Sequence, residues 1–409
     1  MAADQTDRDP SQPASGFATR AIRAASRLPR VTQAASAVPI YQSVTFSAED
    51  SAELGAILNG REPGYAYSRL GHPTGAAMAA AIAELEGAEA GLAFDSGMGA
   101  IHGTLTALLS AGDHVVATRA VYGSTRTLLD RVLARFGVAT TFIDATAVAA
   151  FEAAVTPRTR VLYLETISNP TLVVADLAEL ASRARAHGLT VVVDNTFASP
   201  YLCRPLELGA DLVIESCTKW LGGHSDVLAG AVSGSRQLVD RIAAGQVDMG
   251  GTVAPFSAFL VLRGLTTLAV RMDRHSASAL ALASFLSASA EPRAVYYPAL
   301  PSHPQAAVSR RQLRAGGGML AVEFGAREAA TAFIDALRLP QRTASLGSVF
   351  TMAVHPPSTT HRQLDAAELR EAGIAEGLVR ISVGLEDAAD LQADLANGLA
   401  AAARVGVPA

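Results

Sequence analysis

From about residue 76 onward, short apolar runs rich in β-branched residues alternate with segments of helical period, and this limits the possible folds more than any other feature. GLAF, HVVATRAVY, VATTFID, TRVLYLE, LTVVVDN and ADLVIES read as strands. Between them AAMAAAIAELEGAE, MGAIHGTLTALLSAG closed by Gly112, STRTLLDRVLARFG and DLAELASRARAHG read as helices. Strands that are apolar on both faces and separated by helices predict an α/β fold, with a mostly parallel sheet sandwiched by helices.

The texture changes near residue 255, where SAFLVLRGLTTLAVRMDRHSASALALASFL gives long helical segments, followed by GGMLAVEF and LVRISVGLED. This predicts a smaller C-terminal α+β domain over 259–409 behind a large domain over 61–258. Residues 16–60 carry few periodic elements and read as an N-terminal arm that needs another surface to pack on. Residues 1–15 are polar and acidic and read as a disordered leader, without the apolar core of a signal peptide.

Composition narrows the partners. The chain is 50% hydrophobic and 17% charged, with a formal net charge of −5, so no electrostatic reason exists to expect nucleic acid or an anionic membrane. A small-molecule substrate is expected. Cys203 and Cys217 are too few for a disulfide framework and match no zinc spacing, so both read as reduced in a cytoplasmic protein, with no metal site expected.

In doubly covered parallel sheets, ligands bind at the carboxyl ends of the strands. Those ends carry Asp95 and Ser96, Tyr122, Glu165 to Asn169, Asp194 and Asn195, and Ser216 to Lys219. Lys219 stands in ESCTKWLGGHSD, residues 215–226. A lone lysine at a strand end ordinarily snorkels to solvent. Here a desolvated amine beside other cations would be nucleophilic, as Schiff-base chemistry requires. Ser216 and Thr218 on one side, and Gly222 and Gly223 on the other, suit a phosphate.

Two further stretches suit phosphate. DSGMGA, residues 95–100, places small residues at a helix N-terminus, and YSR, residues 67–69, supplies a fixed charge. Asp194 in VVVDN is a carboxylate too costly to bury without a charged or hydrogen-bonding partner. An amine for an aldehyde, phosphate donors and a carboxylate for a ring nitrogen together describe a pyridoxal-phosphate site. The glycine-rich stretch around residues 315–319 does not fit a dinucleotide loop.

With these residues in view, the chain resembles the Cys/Met-metabolism family of pyridoxal-phosphate (PLP) enzymes, which includes cystathionine γ-synthases, cystathionine and methionine γ-lyases, and O-acylhomoserine sulfhydrylases. The resemblance rests on YSRLGHPT, DSGMGAIHGTL, VYGST, ETISNPT, VDNTFASP, ESCTKWLGGHSD, PFSAFLVLRGLTTLAVRM, SLGS and LVRISVGLED, in family order. It implies the fold type I architecture of PLP-dependent transferases, and a homotetramer built from two dimers.

By resemblance Lys219 holds the cofactor covalently and then shuttles protons, and Tyr122 stacks on the ring and serves as acid/base. Asp194 pairs with the ring nitrogen. Gly97, Met98, Ser216 and Thr218 bind the phosphate, and Tyr67 and Arg69 reach in from a neighbouring subunit. Asn169 sits beside the ring's phenolic oxygen, and Arg380 clamps the substrate carboxylate with Ser345 nearby. The residues alone leave other readings open: Tyr122 as a core tyrosine, and Arg380 in a salt bridge with Glu386 or Asp387.

The implied reaction is γ-elimination on a γ-substituted L-amino acid such as cystathionine, homocysteine or methionine. γ-Replacement on an O-acylhomoserine is the alternative, and a non-catalytic PLP-binding protein the alternative of another class. Ser124, Ala344, His72, Trp220 and the loop HPPSTTHRQL, residues 355–364, depart from the commonest family pattern or resemble its sulfhydrylase version.

Overall fold

Apolar runs become strands wherever both faces can be covered. β1 (Ala90–Phe94), β2 (His114–Thr118), β3 (Ala139–Ile143), β4 (Thr159–Glu165), β5 (Thr190–Asp194), β6 (Leu212–Glu215) and β7 (Gly230–Gly234) form one sheet ordered β1-β7-β6-β5-β4-β2-β3. The computed structural model describes residues 34–405. The leader expected over 1–15 and the first part of the arm expected over 16–60 lie outside the described residues. From Pro39 onward the chain packs as one unit.

β3, β2, β4, β5 and β6 run parallel, and β7 is antiparallel to both of its neighbours. The segment joining β6 to β7 contains no crossover helix, so the chain returns in the opposite direction. Alternate residues of β4 and β5 enter different cores. Leu162, Leu164, Val191 and Val193 pack with helix Leu177–Ala186, whereas Val161, Tyr163 and Val192 pack with residues of helices Gly97–Leu108 and Arg236–Met249. The expected sandwich of helices around a mostly parallel sheet is therefore observed.

A second sheet, antiparallel throughout, contains β8 (Ala294–Tyr296), β9 (Met319–Glu323), β10 (Met352–Val354) and β11 (Leu378–Ser382) in the order β10-β11-β9-β8. Leu320, Val322, Val379 and Ile381 pack against helices Leu268–Ser287, Arg327–Ala336 and Ala388–Val405. The strand period of two turns Arg380 to the opposite face, which looks towards the large sheet. The boundary expected at 258/259 falls within helix Pro255–Leu265.

Several boundaries differ from expectation. The helix expected up to Gly112 ends at Leu108, and Gly112, at φ 92, belongs to the turn before β2, where Ser110 N donates to Asp113 at 2.8 Å. The helical stretch over 124–137 is broken into a short α-helix, Gly123–Thr127, a π turn and a 3-10 turn ending at Gly137. No described helix is long and apolar enough to cross a membrane.

Candidate active site

Lys219 is the only lysine in the sequence. It follows β6 on a tight turn, with Lys219 N bonded to Ser216 O at 3.0 Å and Gly223 N to Lys219 O at 2.8 Å. Arg271, buried, holds the next residues by donating to Trp220 O at 2.6 Å and Gly264 O at 2.8 Å. Trp220 is fully buried and donates to Phe197 O at 3.1 Å, so this departure is absorbed by the core.

Gly347 explains how the SLGS loop reaches this turn. It sits at φ 78, and a Cβ there would lie 2.7 Å from Trp220 N and 2.8 Å from the carbonyl carbon of Lys219, so only glycine fits. That approach brings Ser345 to Lys219, whose Nζ donates to Ser345 Oγ at 3.0 Å. Burial pushes the Lys219 amine down from the usual lysine range to about 8, and the neighbouring Arg380 charge adds to the effect.

The parallel strands deliver two carboxylates. Glu165 ends β4 and Asp194 ends β5, directly paired in register. Asp194 accepts from Thr196 N at 3.0 Å and from the Tyr163 hydroxyl at 3.5 Å. No cationic side chain forms a salt bridge with it among the described residues. Burial raises both carboxyls, and the Asp194 charge raises Glu165 further. Glu165 accepts from Tyr122 N at 2.6 Å and Asn169 N at 3.1 Å, so one carboxyl positions two of the expected site residues.

Arg380, 2% exposed, donates to Asn169 Oδ1 at 2.8 Å and to Ser345 O at 2.8 Å, and its Nε has no partner. The alternative salt bridges are not made. Glu386 accepts from Thr351 N at 2.7 Å, and Asp387 pairs with Arg274 at 3.1 Å.

Ser96 caps helix Gly97–Leu108, accepting from Gly99 N at 3.0 Å. A Cβ on Gly97 would lie 2.7 Å from Ser216 Cβ, so the helix N-terminus and Ser216 meet closely. The Thr218 hydroxyl donates to Ala229 O at 3.2 Å. Gly222 and Gly223 correct the sequence reading, because they do not line the cavity. A Cβ on Gly222 would meet Val227, and one on Gly223 would overlap the Arg271 guanidinium, so these glycines serve packing.

One cavity of about 720 Å³ is lined by Gly97, Met98, Tyr122, Asn169, Asp194, Ser216, Thr218, Lys219, Ser345 and Arg380 together. Tyr67 and Arg69 lie outside it. Tyr67 is exposed, and Arg69 stacks 5.8 Å from its ring centroid and donates to Val247 O. Sequence reasoning left Glu165, Thr196, Thr360, Arg362 and Gln363 out of the site, though all line the cavity. Glu165 carried a signal in its place at a strand end, Thr196 in the stretch VDNTFASP, and Thr360, Arg362 and Gln363 in the loop HPPSTTHRQL. Ser124 and Ala344 also line the cavity, whereas His72 is buried elsewhere, its ring nitrogens bonded to Gly75 N at 3.0 Å and Val253 O at 2.8 Å.

This donor set fits PLP. Asp194 is a buried carboxylate lacking a cationic partner among the described residues, as a protonated ring nitrogen requires. Lys219 offers an amine lowered towards neutrality to an aldehyde. The N-terminus at Gly97, beside Ser216, suits a phosphate.

Residues 18–400 match the family described as Cys/Met metabolism PLP-dependent enzyme. The chain is 47% identical to the L-methionine gamma-lyase of Pseudomonas putida, over 95% of this chain and 98% of that protein. It is 41% identical to the O-succinylhomoserine sulfhydrylase of Pseudomonas aeruginosa, over 94% and 95%. Among solved structures, the cystathionine gamma synthase of Xanthomonas oryzae pv. oryzae in complex with aminoacrylate and cysteine superposes with a TM-score of 0.87 at 38% identity. That match covers 91% of this chain and 95% of the other.

Proposed function

The chain belongs to the Cys/Met metabolism family of PLP-dependent enzymes, whose members here catalyse γ-elimination or γ-replacement, and from that premise we propose that it is a γ-lyase. A γ-substituted L-amino acid and water give 2-oxobutyrate, ammonia and the protonated leaving group. The observation that carries this reading is the hydrogen-bonded run Lys219, Ser345, Arg380, Asn169, which joins an amine of lowered basicity to a buried cationic fork in one cavity. The similarity to an L-methionine gamma-lyase supports it.

Bound PLP supplies the electron sink that stabilises charge at Cα and Cβ. Lys219 holds the cofactor. Its amine, pushed down to about 8 by burial, would move protons at substrate Cα and Cβ. Asp194 keeps the ring nitrogen protonated. Arg380 orients the substrate carboxylate, preorganised by Asn169 and Ser345. Tyr122, which lines the cavity, would deliver a proton to the departing group. Glu165 fixes the backbone of Tyr122 and Asn169. Tyr67 and Arg69 complete the cavity of a second copy, a role supported by their position outside this chain's own cavity.

A 2-oxo-acid assay over cystathionine, homocysteine, methionine and O-acylhomoserines tests this reading, and absence of oxo acid from every one overturns it. The second reading, γ-replacement, is favoured by the similarity to an O-succinylhomoserine sulfhydrylase. Feeding O-acetylhomoserine with and without a thiol separates the two, because a thioether product that suppresses oxo-acid formation supports replacement.

A further inference from the structure

The cavity holds one charge that the proposed chemistry, on which this inference rests, leaves unassigned. Its cationic lining residues are Lys219, Arg362 and Arg380. Two of the three have roles: Lys219 serves the aldehyde, and Arg380 the α-carboxylate. Arg362 is exposed at the cavity wall, and its Nη1 donates to Thr359 O at 3.1 Å. Among the described residues no carboxylate lies within salt-bridge distance of it.

The carboxyls that line the cavity, Glu165 and Asp194, end strands of the large sheet and are buried on partners of their own. Arg362 belongs to the loop that covers the turn after Tyr122. Thr360 O lies 3.3 Å from where a Cβ on Gly123 would stand, and the Gln363 amide would overlap that Cβ. The loop is therefore held down on the backbone at Gly123, and Arg362 is carried with it. Ser124, Thr360 and Gln363 line the same cavity and offer further hydrogen-bond donors.

We propose that Arg362 makes this site selective for substrates whose γ-substituent ends in a carboxylate. An Arg fork accepts a carboxylate through two parallel hydrogen bonds, and partial enclosure strengthens them relative to open solvent. Methionine, with an uncharged methylthio end, leaves Arg362 unpaired. An O-succinyl ester or a thioether carrying a second amino-acid carboxylate pairs with it.

O-succinyl-L-homoserine and O-acetyl-L-homoserine share the ester chemistry and differ in the terminal carboxylate, so kcat/KM for the two reads the preference. The expected result is a preference for the succinyl ester of about tenfold or more, residing mainly in KM. Arg362→Gln brings that ratio towards one, and Arg362→Lys retains part of it. Equal kcat/KM for the two esters in the wild type, or a ratio unmoved by Arg362→Gln, overturns the assignment.

Binding of two unreactive amino acids, L-2-aminosuberate and L-2-aminooctanoate, provides a readout that needs no turnover. They differ in a terminal carboxylate against a methyl group, and binding is followed by the cofactor's absorbance. Tighter aminosuberate binding that Arg362→Gln abolishes supports the assignment even if no oxo acid forms, which would sink only the γ-lyase reading. Equal binding of the pair sinks the Arg362 assignment while leaving the γ-lyase reading intact.

Discussion

The Nζ of Lys219 and the Oγ of Ser345, 126 residues apart in sequence, are 3.0 Å apart in space, and the glycine two residues after the serine makes that approach sterically feasible. Gly347→Ala puts a Cβ against the backbone of Lys219 and Trp220 at a positive φ. Thermal unfolding should show a loss of about 1–3 kcal/mol, together with reduced cofactor retention. A variant with wild-type stability and cofactor content would show that the close approach is not required.

Arg380 makes two charge-assisted hydrogen bonds inside the protein and is expected to make more to the substrate carboxylate. Arg380→Lys keeps the charge but not the planar fork. Steady-state kinetics should show kcat/KM lowered by about a hundredfold, with a higher KM. Little change in KM would place the α-carboxylate elsewhere.

Arg69 lies outside the cavity of its own chain. If it completes the site of a second copy, Arg69→Ala weakens cofactor binding, which equilibrium dialysis measures. Unchanged affinity would remove Arg69 from the site.

Two buried imidazoles contribute stability that falls on mild acidification. Burial lowers His275 and His361 from the ordinary 6.5 to about 4, with the Arg271 and Arg380 charges respectively adding to the effect. Both folded values lie below the unfolded one, so the unfolded chain binds more protons between about pH 6.5 and 4. The stability from neutral, buried imidazoles is complete above 6.5 and is lost as pH falls, by about 2 kcal/mol per histidine at pH 5. Burial raises Glu86, Glu165 and Asp194 and so acts in the opposite sense. The histidine contribution is therefore read as the difference in denaturant midpoint between wild type and His275→Gln or His361→Gln from pH 8 to 5. A difference that does not change with pH would contradict it.

The repeating part of this fold was legible because its signal is local. TRVLYLE carries the apolar run VLYL, and the strand spans Thr159–Glu165. GAVSG, which forms β7, was missed because small residues give neither β-branching nor alternation. Lys219 and Asp194 were legible from strand ends, where polar residues interrupt apolar runs.

Arg380 was not legible from its neighbours. The acids that follow it, Glu386 and Asp387, offered a local explanation, whereas its actual partners include Asn169, 211 residues away. Gly222 and Gly223 were misread because glycine marks any close approach, and the group approached was the Arg271 side chain, not a ligand. Arg362 and Gln363 lie in an irregular loop with no period, so only the folded chain brings them to the cavity.

The central claim is that this cavity holds PLP through Lys219. Borohydride reduction of the PLP-loaded protein followed by peptide mass spectrometry tests it directly, because the sequence offers a single lysine. The expected result is one pyridoxyl adduct on the peptide containing Lys219, absent from Lys219→Ala, which also loses oxo-acid release. No adduct at Lys219, or oxo-acid release at the wild-type rate in Lys219→Ala, would contradict it.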